Sequence, residues 1–230
     1  LNSISSGSVT VVSTASTDGS LSTGTTSLPN GSYSFKKAPN LTNLDVYGNY
    51  YLDENHTSGD YNLQSGGNGK NDKLVNINFG GTALAIPNMQ GATALENYYH
   101  TYGRGGQTNK LVDTGGVYRF ENCSTVKTLQ FYATNLGAIN FPINGFTNTS
   151  LTSLDLRYTS IKGGVEGDES EVIKQNTFSS CPNLQFIYID SPNLLAGEIN
   201  PDAFKLNPQL VYFWIRSNNR VTGNLPDFSG

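Results

Sequence analysis

The chain has 230 residues and a formal net charge of −4, and only 14% of its residues are charged, against roughly 25% in a typical soluble domain. A weakly acidic chain of this kind argues against a general affinity for nucleic acid or for an anionic membrane surface. The sequence has no run of about 18 apolar residues, so no segment is predicted to span a membrane.

Residues 1–37 are almost entirely small and polar, with one short alternating patch from Val9 to Val12. This composition predicts either a Ser/Thr/Gly-rich linker or a thin N-terminal cap made of irregular strands. Residues 38–230 carry apolar side chains at regular intervals and are predicted to form the folded body. We expect that body to continue beyond the C-terminus.

A short pattern, apolar-x-x-apolar-x-apolar, recurs along 38–230 at intervals of 21 to 33 residues. One coil of this kind cannot bury its apolar face alone, so successive coils must stack and pair their short strands in parallel. Side chains at places four and six then point into the core, and those at places three, five and seven point outward. The pattern starts at Leu41, Leu74, Leu95, Val126, Leu151, Leu184 and Leu210, and its weakest copy begins at Leu95, where His100 fills the third apolar place.

The pattern resembles the LxxLxLxxNxL signature of leucine-rich repeats. The resemblance implies a mainly β fold with few helices: a right-handed solenoid of about seven irregular coils, with a parallel sheet on its concave face. An Asn or Thr at place nine would bond backbone groups where each coil turns. That place holds Asn49, Thr82, Thr134, Thr159 and Asn218.

Two further signals accompany the strands. The segments that start at Ile161, Leu195 and Val221 share apolar-x-Gly-x-apolar, which is similar to the LxGxIP element of plant-type repeats. A phenylalanine precedes several strands and is predicted to plug the convex side of each coil. These phenylalanines are Phe120, Phe146, Phe178 and Phe204. The longer intervals between copies of the repeat predict insertions at 50–72, 102–118 and 162–176.

The two cysteines occupy the same place in their coils, three residues before the first apolar position. Cys123 and Cys181 are separated by one intervening coil, in which Asn148 holds that place. Coils two apart lie about 10 Å apart at a strand spacing of about 4.8 Å, whereas a disulfide needs Cα atoms closer than about 7 Å. The sequence therefore predicts two free, buried thiols.

Little in the sequence points to catalysis. His56 and His100 are the only histidines, and neither has a Cys, Asp or Glu at metal-ligand spacing. We therefore expect no metal, no cofactor and no enzyme activity. The alternative is a glycan-cleaving carboxylate pair on the outward face, for which Asp155 and Asp190 are the candidates.

The outward face of the later strands is the most informative feature for function. Aromatic residues and arginines accumulate there, and both types are enriched where proteins bind partners. Two alternatives to binding stay open: aromatic residues suit strands in general, and they could pack beneath further coils. The predicted partner-binding residues are Tyr132, Arg157, Phe186, Tyr188, Asp190, Tyr212, Trp214 and Arg216.

The setting is suggested by composition. The chain is rich in Asn, Gly, Ser and Thr, has irregular repeats with few cysteines, and is similar in this to leucine-rich-repeat proteins of phage virions. This predicts a virion or extracellular protein, part of a tail or baseplate. It would contact a protein or glycan on a host surface, or neighbouring virion subunits. The alternative is a secreted or cell-surface adhesin or receptor ectodomain.

Overall fold

A computed structural model provides the structure of the chain. It describes residues 10–12, 14–15, 21–22, 42–45, 47, 73–103, 110–113, 118–137, 140–165, 167, 170–194, 197–217, 221–224, 226 and 228. This part of the chain contains no helix. Its strands are β1 (Thr10–Val12), β2 (Thr14–Ala15), β3 (Leu21–Ser22), β4 (Asn43–Asp45), β5 (Asn76–Asn78), β6 (Asn97–Tyr99), β7 (Thr128–Gln130), β8 (Ser153–Arg157), β9 (Glu171–Ile173), β10 (Phe186–Asp190), β11 (Gly197–Ile199), β12 (Tyr212–Arg216) and β13 (Val221–Thr222).

The main sheet has eight strands in the order β1-β4-β5-β6-β7-β8-β10-β12, and every neighbouring pair is parallel. Each copy of the repeat supplies one strand, as the pattern predicts. The fold is therefore mainly β and resembles a leucine-rich repeat. The handedness of the stack and the number of its coils stay predictions.

The N-terminal stretch contributes to the same sheet. The backbone of β1 pairs in parallel with β4, with Thr10 opposite Asn43 and Val12 opposite Asp45. The strands β2 and β3 form a separate antiparallel pair. The choice between a linker and a cap for residues 1–37 stays open, since only seven of those residues are described.

The inward places of the repeat form the core, which confirms the predicted alternation. Leu129 and Phe131 are fully buried, and so is the matching pair Leu154 and Leu156 on the next strand. The threonines at place nine form hydrogen bonds with backbone groups, as predicted. Their hydroxyls donate to the backbone carbonyl of a residue at place six, either in the same coil or in the preceding one. The pairs are Thr82 to Phe79, Thr159 to Leu156 and Thr134 to His100, while Asn49 and Asn218 lie outside the described residues.

His100 is buried at its apolar place and is a core residue. Its Nδ1 lies 3.1 Å from the hydroxyl of Tyr98, and its Nε2 is buried without a hydrogen bond in the described part of the chain. Burial lowers the pKa of His100 from 6.5 to about 3, because an imidazolium would lose its hydration there. The ring is therefore neutral at physiological pH.

The last three coils also form a second parallel sheet, in the order β13-β11-β9, whose strands alternate along the chain with β8, β10 and β12. β11 and β13 lie in the two glycine-containing elements at Leu195 and Val221. The third strand differs from the prediction: β9 pairs with β11 and lies inside 162–176, which was predicted as an insertion. The segment that pairs with β11 in that coil is thus Glu171–Ile173. The predicted element at Ile161 lies beside it, since the N–H of Gly164 donates to the carbonyl of Val172 and Val165 forms a parallel bridge with Phe141. The predicted insertion at 50–72 lies outside the described residues, as does most of the one at 102–118.

The phenylalanines before the strands are buried and form a ladder, while their place on a convex side of the coils stays a prediction. The rings of Phe146 and Phe178 stack with centroids 5.3 Å apart, and those of Phe178 and Phe204 stack at 5.8 Å. Phe228 extends the ladder, 5.5 Å from Phe204. The ladder ties successive coils together, and Phe204 also contacts Phe213 of β12, with centroids 4.7 Å apart.

Both cysteines are free and buried, as predicted. Each thiol points at a carbonyl of an earlier coil: Sγ of Cys123 lies 2.8 Å from the carbonyl oxygen of Met89, and Sγ of Cys181 lies 3.1 Å from that of Phe146. Burial raises the pKa of Cys123 to about 11 and that of Cys181 to about 12, so both stay protonated. Asn148 fills the same place in the coil between them and donates to the carbonyls of Phe120 and Cys123.

The Phe ladder allows a direct test of coil stacking. Replacing Phe178 by Ala removes the central ring, which is in contact with rings on both sides, and leaves a cavity in the core. We expect the free energy of unfolding to fall by about 3–5 kcal/mol, measured by urea denaturation. The exposed Ile143, in a turn outside both sheets, provides the control, since Ile143→Ala should change stability by less than about 0.5 kcal/mol. A loss below about 1 kcal/mol for Phe178→Ala would contradict the ladder.

Candidate functional site

The last three strands of the main sheet bring most of the predicted binding residues together. The register places Asp155, Tyr188 and Trp214 in one row across β8, β10 and β12. Because side chains alternate along a strand, the rows on either side of this one, two residues away, project from the same face. Those rows are Ser153, Phe186 and Tyr212, and Arg157, Asp190 and Arg216.

Arg157 is held rigidly at the middle of this surface. Its Nε donates to Oδ1 of Asp155 at 3.0 Å and its Nη2 donates to Oδ2 at 2.6 Å. The hydrogen bonds to Asp155 raise the pKa of Arg157 above its usual value. The guanidinium also lies over two rings, 4.7 Å from the centroid of Tyr188 and 5.2 Å from that of Tyr132. These contacts fix both the charge and the flanking aromatic rings before any ligand arrives.

Asp190 has a different environment from Asp155. Nη2 of Arg216 lies 2.9 Å from its Oδ2, yet this approach lacks hydrogen-bond geometry, and that oxygen has no hydrogen bond within the described residues. The side chain of Asp190 is 8% exposed, whereas that of Arg216 is 60% exposed. Arg216 also lies near two aromatic rings, 5.5 Å from Tyr158 and 5.9 Å from Trp214. Asp190 is therefore a buried carboxylate whose ion pair is to an exposed arginine on the next strand.

A row of three tyrosines borders this surface. Tyr102, Tyr132 and Tyr158 pack edge to face, with successive centroids 5.3 and 5.2 Å apart. Tyr102 and Tyr158 are 55% and 48% exposed. Their backbones have φ of 54° and 57°, in the left-handed region. Gly81 occupies the equivalent place in an earlier coil with φ of 72°.

The two left-handed tyrosines are a feature that the sequence reasoning missed. Each sits at place eight, just after its strand, whereas the outward places of the pattern are three, five and seven. A residue with a Cβ costs roughly 1–2 kcal/mol in this conformation, which glycine avoids. Ala133 holds the same place in the coil between them with φ of 54°, so the left-handed turn belongs to the repeat, and the large exposed rings are what set the two tyrosines apart. The signal that could have found them is the bulky residue at a turn place where another coil has Gly81.

We call the surface formed by Tyr132, Arg157, Tyr158, Tyr188, Asp190, Tyr212, Trp214 and Arg216 the concave patch, after the concave face on which the repeat pattern predicts it. Tyr212 extends it to the edge strand β12, where its ring lies 5.2 Å from that of Tyr188. Phe186 lies on the same face between Ser153 and Tyr212. Phe186 makes no ring contact with another aromatic residue in the described part of the chain, so only the strand register places it beside Tyr212 at the border of the patch.

The earlier strands carry a different chemistry on the same face. The amide of Asn76 donates to the side-chain oxygen of Asn43 at 2.6 Å, and that of Asn97 donates to Asn76 at 2.8 Å. This amide ladder satisfies its own hydrogen bonds along the sheet. The aromatic rings and ion pairs are concentrated towards β8, β10 and β12.

Comparison with known proteins adds little to this description. No family model matches the chain, and no curated protein matches it. Among solved structures, it is similar to a plant peptide hormone receptor, RGFR1, in complex with RGF2, with a TM-score of 0.39 and 17% sequence identity. The match covers 84% of this chain and 34% of the receptor chain, so the chain spans about a third of that protein's length. At this TM-score the likeness carries no argument about function.

The class of protein is thus set by the parallel sheet and its repeated strands: a mainly β module with a leucine-rich-repeat-like fold. The part of the chain that the structure describes includes no helix long and apolar enough to cross a membrane. Those same residues also include no group of three His, Cys, Asp or Glu side chains that could hold a metal ion.

The contrast between the two carboxylates can be tested by stability alone. Asp155 accepts bonds from the side chain of Arg157 and, at 3.0 Å, from its backbone N–H, so Asp155→Asn should cost about 2 kcal/mol. Asp190→Asn should cost less than about 1 kcal/mol, because its one ion pair is to an exposed arginine. Urea denaturation of both variants measures the difference. Equal losses would show that Asp190 is a structural residue like Asp155.

Proposed function

We propose that this chain is a non-enzymatic recognition module that binds its ligand with the concave patch. One observation carries the proposal: two strained tyrosines and two arginines held against aromatic rings crowd the outward face of adjacent parallel strands. A purely structural turn would not need the rings of Tyr102 and Tyr158, since Gly81 and Ala133 fill the same place in other coils. Trp, Tyr and Arg are also the residue types that dominate the energy of binding surfaces.

The rigidity of the patch supports recognition. Arg157 is held by Asp155 and by two rings, so little side-chain entropy is lost when it meets a ligand. The sheet beneath it is built on fully buried residues such as Leu154 and Ile187. A preorganised aromatic and charged surface of this kind favours specific contact over general adhesion.

An enzyme is the less favoured interpretation. The candidate carboxylate pair consists of Asp155 and Asp190, and Asp155 is fully engaged with Arg157. A carboxylate held by a bidentate guanidinium is a poor nucleophile and a poor proton donor. We therefore propose binding without catalysis, and without a cofactor.

For the setting, we propose a phage virion appendage, such as part of a tail or baseplate, in which the patch contacts a host surface or a neighbouring subunit. The composition supports this, because charged residues are few. The two cysteines are free and buried, so they do not form a disulfide of the kind expected at the cap of a receptor ectodomain. The alternative is a secreted or cell-surface adhesin or receptor ectodomain that binds protein or glycan. Both settings place the chain in a virion or outside the cell.

The test is binding of the purified, fluorescently labelled chain to a panel of intact bacterial cells. We expect saturable binding to at least one strain. Tyr158→Gly keeps the turn and removes the ring, and Trp214→Ala removes the neighbouring aromatic residue. The double variant should lose binding at least tenfold while remaining folded.

Ile143→Ala is the matched control, since it removes an exposed apolar side chain outside the patch, and it should bind like the unmodified chain. Binding that survives in the double variant would place the recognition surface elsewhere. The absence of saturable binding across the panel would overturn a role in host contact.

A further inference from the structure

His100 occupies a place of the repeat that apolar residues fill in every other copy. The residues at place six in the other copies are Val46, Phe79, Phe131, Leu156, Ile189 and Ile215. The side chain of His100 is fully buried, and its ring centroid lies 6.1 Å from that of Phe79. Since histidine is titratable, the stability of this coil depends on whether the ring carries a proton, a property that an apolar residue at the same place would not give it.

The neutral imidazole fits this place, whereas the charged ring does not. Nδ1 of His100 lies 3.1 Å from the hydroxyl of Tyr98, which can either donate to it or accept from it. Nε2 is buried and has no hydrogen bond within the described part of the chain. Protonation would place an N–H on both nitrogens and a full charge on the ring. The second N–H would then lack an acceptor, and the charge would lack hydration.

The groups that face His100 bring no charge that would compensate for a proton. Phe79 packs against the ring from the preceding coil, and Tyr98 contacts it from the same strand. Gly103 and Thr134 cover the edge at Nε2, where a Cβ on Gly103 would lie 3.0 Å from both Nε2 and the Thr134 methyl group. Tyr98 is the one titratable group among these four contacts, and a phenol carries no charge at acidic pH. Burial therefore lowers the pKa of His100 to about 3.

The segment that covers Nε2 is the turn after β6, which also carries a residue of the outward surface. Tyr102 in this turn has a left-handed backbone, and its N–H donates to the carbonyl of Tyr132 at 2.8 Å. The N–H of Gly103 donates to Oγ1 of Thr134 at 3.3 Å, and that hydroxyl donates to the carbonyl of His100. Moving this turn away, so that water reaches Nε2, breaks the hydrogen bonds that hold Tyr102 beside Tyr132.

We propose that His100 makes this coil an acid-sensitive switch. At neutral pH the uncharged ring stays buried and the coil stays closed. At acidic pH the ring binds a proton whenever the coil opens, and the charged ring then keeps the coil open. Opening releases Tyr102 from Tyr132, so acid alters the border of the concave patch. The switch goes beyond the recognition function proposed above and does not depend on it, because it follows from the core place of His100.

The pH range of the switch follows from the pKa of His100 in the open and the closed coil. A hydrated histidine has a pKa of about 6.5, whereas burial lowers the pKa to about 3 in the closed coil. The closed coil therefore has its full stability above pH 6.5 and loses stability as the pH falls towards 3. Between pH 7 and pH 5 the ratio of open to closed coil should rise about 25-fold, with the uptake of about one proton per opening.

Hydrogen–deuterium exchange at pH 7 and pH 5, read out by mass spectrometry and corrected for the intrinsic pH dependence of amide exchange, tests the switch. We expect the opening ratio of residues 97–103, which include the Tyr102 amide, to rise about 25-fold at pH 5. His100→Phe places there the residue that Phe79 and Phe131 supply in neighbouring coils, and it should reduce the rise to less than about threefold. Residues 186–190 of β10 are the internal control and should keep the same ratio at both pH values.

His100→Gln provides a second variant without a titratable group, so the comparison does not depend on how well a phenylalanine packs at this place. A rise in residues 97–103 that persists in both variants would overturn the switch, and so would the absence of a rise in the unmodified chain. An equal rise in residues 186–190 would show that acid acts on the whole stack and would also overturn it. These outcomes leave the recognition function untouched, since cell binding at pH 7 tests it separately.

Discussion

The stacking of coils is the constraint on which the rest of the structure depends. Each coil has one apolar strand face, the later coils also have one buried phenylalanine, and neither can be covered within the coil. Stacking solves both problems, since it pairs the strands in parallel and places Phe146, Phe178 and Phe204 in contact. The free energy gained when stacking buries this apolar surface holds the short strands together. Everything on the outward face is then free to vary, because the inward face alone holds the stack together.

That freedom explains how a binding surface arises from a repeat. Parallel register aligns the same place of successive coils, so a row of side chains forms without any local sequence contact. Arg157 and Arg216 are 59 residues apart in the chain, yet both lie next to Asp190. Ion pairs and ring contacts along the rows then fix the side chains. The tyrosines at place eight add a second row where each coil turns.

Much of the fold follows from the spacing of apolar residues. The inward set, such as Leu129, Phe131, Leu154 and Leu156, can be predicted from the pattern because strand alternation leaves no other arrangement. The strand β9 could not be predicted from the pattern. The glycine-containing segment at Ile161 matches the repeat element better than Glu171–Ile173 does. Short strands carry too few residues for local propensity to separate such alternatives.

The candidate site was only partly predictable for a different reason. The register alone placed Arg157, Tyr188, Asp190 and Trp214 on one face. The pairing of Arg157 with its own strand's Asp155, and that of Arg216 with Asp190 of the neighbouring strand, depend on rotamers that the pattern does not encode. Tyr102 and Tyr158 were missed because their importance lies in backbone conformation, which becomes visible only when φ is known.

The most direct test of the concave patch is hydroxyl-radical footprinting of the chain while it is bound to cells, read out by mass spectrometry. We expect Tyr158, Tyr212 and Trp214 to become protected on binding, while Ile143 and Leu206, both exposed outside the patch, keep the labelling that they have in free solution. Unchanged labelling of the three patch residues, together with protection of Ile143 or Leu206, would show that the ligand binds elsewhere and would contradict recognition by the concave patch.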